Sequence, residues 1–118
     1  DNVIKNKDRL EAPDAKLLTS RPEVGEQFRK SQLESVRHGV RGAAYEWLLY
    51  TRPWGFSLED VTMAIHLWYG EDDVNAPPAM GRYLASKLPN SQLTIVPNEA
   101  HFSLINNHID DILAALMA

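Results

Sequence analysis

Residues 61–69, VTMAIHLWY, form a nearly continuous apolar run, rich in β-branched and aromatic side chains, that stops at Gly70 against Glu71, Asp72 and Asp73. Unbroken apolar character over so short a run marks a strand covered on both faces, which belongs in a parallel sheet flanked by helices. The residues that follow agree. Pro77 and Pro78 open a helix in which Met80, Leu84 and Leu88 recur every four residues, and Pro89-Asn90 closes it. QLTIVP (92–97) reads as a second short strand. Ser103 suits the N-cap of a last helix, with Ile105, Ile109, Ile112, Leu113 and Leu116 as its buried stripe. Strand, helix, strand, helix is a βαβ unit with parallel strands, so the expected fold class is α/β.

Upstream the pattern is helical. Residues 1–19 are polar, contain Pro13 and lack a sustained period, which predicts an irregular arm or connector. Ser20 and Glu23 have capping-box spacing, with Pro22 in the first turn. Val24, Phe28, Leu33 and Val36 then recur at about helical spacing, and Gly39 is the expected stop. A second helix over about 40–51 carries Val40, Ala43, Ala44, Trp47 and Leu48 on one face and ends at Arg52-Pro53. The expected organisation is thus an arm (1–19) and one region (20–118), helical over 20–51 and βαβα over 61–118.

Composition narrows the function classes. The 118 residues are 44% hydrophobic and 24% charged, as in one ordinary globular domain. The net charge of −4, without a run of Lys or Arg, argues against nucleic acid or an anionic membrane as partner. The apolar stretches fall short of the roughly 20 residues of a membrane helix. The absence of cysteine removes thiolate metal sites and fits a reducing compartment, so a cytoplasmic location is expected. No His pair has metal-ligand spacing, and no metal or other cofactor is expected. His66 reads as a packing residue in mid-strand, His108 as lying on the polar side of the last helix, and His38 as a ring near a helix C-terminus. Trp47, Trp54 and Trp68 read as core or interface anchors.

The chemistry gathers beyond the strand ends, where α/β sheets place their functional groups. One strand leads into Gly70–Asp73 and the other into Asn98, Glu99, Ala100 and His101. Parallel neighbours bring these ends within about 5 Å at the backbone. A carboxylate from one loop then orients an imidazole from the next and stabilises its cation, leaving the other ring nitrogen as a general base.

The stretch HLWYGEDDVNAPPAMGRYLASKLPNSQLTIVPNEAHFSL resembles the C-terminal segment of an α/β-hydrolase-fold enzyme. In that family a strand ends in Gly-x-x-Asp with the triad acid, a Val-Pro and a helix follow, and the last strand leads into a Gly-x-Gly-His loop with the triad base. The resemblance covers about residues 40–118. It implies Asp73 as acid and His101 as base, with Glu71 and Asp72 as bystanders, and a cap-like role for 20–51. The implied activity is hydrolysis of an ester, lactone or related acyl bond. The family's Gly-x-Ser-x-Gly nucleophile elbow is absent: none of the seven serines sits between glycines at that spacing. Asn98 and Ala100 stand where the family has glycines, and Ala tolerates positive φ poorly, so the His loop is expected to bend differently.

Two strands leave a sheet with an exposed apolar edge, an arrangement prone to further pairing. Asp1 stands where a start Met would, so a preceding segment is one expected way to complete the sheet. The other is a second copy, pairing strand 63–69 with its two-fold mate in an antiparallel, four-stranded sheet. The chain is therefore expected to be either the C-terminal portion of a serine-type hydrolase, inactive alone, or a non-catalytic half-domain that dimerises and binds.

Overall fold

A computed structural model describes residues 10–117. The elements run α1 (Ala12–Ser20), α2 (Pro22–Ser35), α3 (Arg41–Tyr50), a 3₁₀ turn (Leu58–Asp60), β1 (Ile65–Gly70), α4 (Pro78–Lys87), β2 (Ser91–Val96) and α5 (His101–Met117). β1 and β2 pair in parallel, Ile65 opposite Ser91 through Gly70 opposite Val96. The fold is mixed α/β, with a two-stranded parallel sheet among the described residues. α4 packs on both strands, α5 on β1, and α1 on α2 and α5.

The βαβ spacing follows the chain pattern closely; the faces do not. β1 begins at Ile65 rather than 63 and is only half-buried until Gly70. The cover expected on both sides is therefore missing. Ile65 N–H and Glu71 N–H donate towards the β2 side, to Asn90 O and Val96 O. By alternation the N–H groups of His66 and Trp68 point to the open edge. On α4 the face against the sheet is Gly81, Leu84, Ala85 and Leu88, while Met80 turns outwards. Gly81 explains this rotation: a Cβ there would lie 2.6 Å from the Tyr69 ring and 3.0 Å from Leu93. The helix seats its backbone, not Met80, against the strands.

Several other expectations change. Residues 12–20 are helical, because Pro13 sits in a first turn, where its missing N–H removes no intrahelical bond. The rest of the expected arm, 1–9, lies outside the described residues. Ser20 does not cap α2; its hydroxyl donates to Leu17 O at 3.2 Å and finishes α1, and Arg21 holds the N-cap position without a side-chain bond. α2 stops at Ser35, and Gly39, at φ 94°, turns the chain towards α3. The expected stripe on α5 is not buried: Ile105, Ile109, Leu113 and Leu116 are exposed, and Ser103 and Leu104 are the helix's buried residues. The apolar face of α3 is likewise open, with Val40, Trp47 and Leu48 exposed. No described helix is long and apolar enough to cross a membrane.

The molecule is correspondingly extended. Its radius of gyration is 16.4 Å, against about 13.5 Å for a compact chain of this length. Among the described residues, Leu17, Leu88, Ala100 and Leu104 are the buried apolar ones. Two of them flank the start of α5, where the polar chemistry also converges.

Candidate acid–base site

The backbone of the two loops is joined before any side chain takes part. Glu71 N–H donates to Val96 O and Asp72 N–H to Glu99 O, both at 2.9 Å. Gly70 permits this contact. A Cβ at that position would lie 2.7 Å from Glu99 C and 3.0 Å from Ala100 N, closer than real side chains approach backbone. The His loop then turns at Asn98, whose φ of 57° is left-handed, a conformation Asn tolerates. Ala100 needs no positive φ and is fully buried, so the loop bends at one position rather than two.

Asp73 and His101 meet in this frame. His101 Nδ1 lies 3.0 Å from Asp73 Oδ2. A carboxylate only accepts hydrogen bonds, so this contact places the ring proton on Nδ1 and leaves the Nε2 lone pair free in the neutral ring. Asp73 is 6% exposed, and its other oxygen accepts the N–H groups of Asn75 and Ala76, each at 2.8 Å. The side chain is thus locked by its own turn before it meets the imidazole. The His101 side chain is 43% exposed, so part of the ring is accessible from solvent. Glu71 and Asp72 are exposed in the same turn.

The first turn of α5 holds His101 from behind. The helix starts at His101, two residues before the expected N-cap, and Ala100 O accepts the first helical bond, from Leu104 N–H. Ser103 has a different duty: its hydroxyl oxygen accepts the Ala100 N–H at 2.8 Å, the reach-back half of a capping box. The other half comes from far away in the chain. Asp14 of α1, fully buried, accepts Phe102 N–H at 3.0 and 3.1 Å and Ser103 N–H at 2.8 Å. Phe102 also stacks edge-on against Phe28 of α2, with ring centroids 4.7 Å apart.

A second polar cluster lies one to two turns along α5, around a kink at His108. Asn107 Nδ2 donates to both oxygens of Glu99, and the His108 ring sits between Glu99 Oε1 at 3.2 Å and Asp111 Oδ2 at 3.1 Å. Burial pushes the Glu99 carboxyl up, but bonds from Ser103, Asn107 and His108 together hold it below its ordinary value. His108 is thus more than a solvated polar residue: it ties the His loop to the kink. His66 is half-buried in β1, in keeping with a packing role. Trp47 and Trp54 are exposed. A hollow of about 790 Å³ lies between the Trp54–Phe56 loop and α4, lined by Arg52, Trp54, Phe56, Tyr83 and Lys87 among others. Neither Asp73 nor His101 lines that hollow.

Sequence reasoning singled out Asp73 and His101 and expected an altered bend in the loop carrying Asn98 and Ala100, and it missed Asp14 and the backbone contact at Gly70. Asp14 has no local signal, since its partners lie 88 and 89 residues away. Gly70 was visible only as punctuation. Comparison with protein-family models, curated proteins and solved structures finds no match to this chain.

Proposed function

We propose that this chain supplies the acid and the base of a serine-type α/β hydrolase acting on an ester or related acyl bond, and that without a serine nucleophile it is inactive alone on unactivated esters. The observation that carries this reading is the His101 Nδ1–Asp73 Oδ2 contact at 3.0 Å, between a buried carboxylate and a partly exposed ring. Asp73 orients the ring. Nε2 of His101 takes the proton from a serine hydroxyl as the serine oxygen attacks the acyl carbon, and the resulting imidazolium is stabilised by Asp73. The same proton then passes to the departing alkoxide, and water repeats the sequence to free the acid. The serine comes from outside the described residues, on a preceding segment or a companion chain. A cytoplasmic location fits a chain without cysteine.

The test is reaction with p-nitrophenyl acetate, an ester activated enough for an accessible imidazole to cleave without a serine. The expected outcome is a slow release of p-nitrophenolate that falls to background in His101→Ala and is lowered in Asp73→Asn. Equal rates in the unsubstituted chain and His101→Ala would overturn the assignment.

A second reading is favoured by the open surface: a non-catalytic half-domain, derived from such an enzyme, that works as a dimeric interaction protein. The accessible surface is 8787 Å², against about 6,500 Å² for a compact protein of this mass. The second copy pairs along the β1 edge, antiparallel about a two-fold axis. Light scattering over a wide concentration range separates the readings, with a stable particle of two chains supporting this one and a monomer opposing it.

A further inference from the structure

The hydrogen bonds of Asp14 bear on His101 although no hydrogen bond joins the two side chains. Asp14 is a carboxylate with no exposed surface, and it receives the N–H groups of Phe102 and Ser103, the two residues immediately after His101. These N–H groups belong to the unsatisfied first turn of α5, where a negative charge is also favoured by the helix dipole. An ordinary N-cap is local: the residue just before the helix supplies the oxygen. Here that residue is Ala100, which has no such oxygen, and the acceptor arrives from α1. The other end of α1 grips the same helix: the Arg21 guanidinium donates to Asn106 O, at 3.3 Å from both terminal nitrogens, and to the Asn107 side chain. α1 therefore spans the first turn and a half of α5, with His101 at the outer end of the gripped segment.

Resting on the acid–base reading above, we propose that Asp14 is a positioning residue for His101, and that α1 is the strap that aims the imidazole at Asp73. His101 leaves the backbone at the first residue of the helix, where fraying would otherwise let the ring swing. The Asp73 side is already fixed by Asn75, Ala76 and the Gly70 contact, so the remaining freedom in the pair lies in the α5 turn that Asp14 closes. Ser103 completes the clamp by holding the Ala100 N–H on the other side of His101.

The experiment compares the 118-residue chain with Asp14→Ala and Asp14→Asn, using Ser20→Ala as a control on the same helix. Two quantities are read: the His101-dependent rate on p-nitrophenyl acetate, and the ¹⁵N shifts of the His101 ring, which report its tautomer. Misplacing a reacting group by an ångström costs up to a hundredfold, so Asp14→Ala is expected to lower the His101-dependent rate about tenfold. Its ring should move from the Nδ1–H tautomer to a mixture. Asn keeps the oxygen that accepts both Phe102 and Ser103 N–H but replaces the second acceptor of Phe102 N–H with an N–H₂ group, so Asp14→Asn should lose about threefold. Ser20→Ala should leave both readouts unchanged.

A folded Asp14→Ala with unchanged rate and unchanged ring shifts would overturn the proposal. If Asp14→Ala fails to fold, Asp14→Asn decides, and wild-type behaviour there overturns it equally. Equal rates in wild type and His101→Ala would instead sink the hydrolase reading. The ring shifts of the Asp14 variants would then decide by themselves whether Asp14 aims the imidazole.

Discussion

The loops beyond β1 and β2 and the stretch from α3 to the Trp54–Phe56 turn treat their side chains in opposite ways. In the loops, small and polar residues are buried: Ala100 and Ser103 almost completely, Asp73 at 6% exposure, each with hydrogen bonds that account for it. In the stretch 45–56, large apolar residues face outwards, among them Tyr45, Leu49, Tyr50, Phe56 and Trp47, the last 72% exposed. Composition would assign the core to the second region and the surface to the first. What separates them is reach. The loops are tied by bonds between residues 25 to 89 positions apart, whereas the aromatic contacts of α3 and its turn are local, Trp47 with Tyr50 and Trp54 with Phe56. This is the burial pattern of an ordered polar cluster beside an uncovered apolar face.

This contrast can be broken by substitution. The largest effect belongs to Gly70. Gly70→Ala forces a Cβ into the Glu99–Ala100 backbone, and the strand end and the His loop have to part, at a cost of about 3 kcal/mol in urea unfolding. An unaltered midpoint would mean that the two loops are not held together as described. Glu99→Gln is milder, about 1 kcal/mol, and depends on pH. The folded Glu99 carboxyl lies below its ordinary value of 4.5, so its stabilisation is fully present above that pH and is lost as pH falls through the lower folded value. The Gln variant should therefore differ from wild type at neutral pH, and the difference should shrink as the solution is acidified below 4.5. A constant gap across that window would remove the charge from the explanation.

The smallest effect on stability, and the most telling for the open region, is expected at Trp47. An exposed side chain on an uncovered helix contributes little to the fold, so Trp47→Lys should change unfolding by less than about 0.5 kcal/mol. A loss of several kcal/mol from the monomer would show Trp47 packed within its own chain and would erase the difference between the two regions.

The chain itself determined the alternation of strand and helix after residue 61, from local rules of period and punctuation that act within a few residues and are therefore written in neighbouring letters. It also marked Asp73 and His101 as the candidate pair, through their places after successive strands and the resemblance of that stretch to a known family. Tertiary structure decided the rest. It turned Met80 out in favour of Gly81, left the Ile105–Leu116 face uncovered, and moved the start of α5 from Ser103 to His101. It also gave Asp14, in a segment that reads as an irregular arm, the buried position that closes the His101 turn. The reason is physical: a periodic apolar face shows that a helix has a side to bury, but only the elements packed around it settle whether anything covers that side. An oxygen that caps a helix is likewise identified by where it arrives in space, and across a separation of 89 positions nothing in the sequence records that.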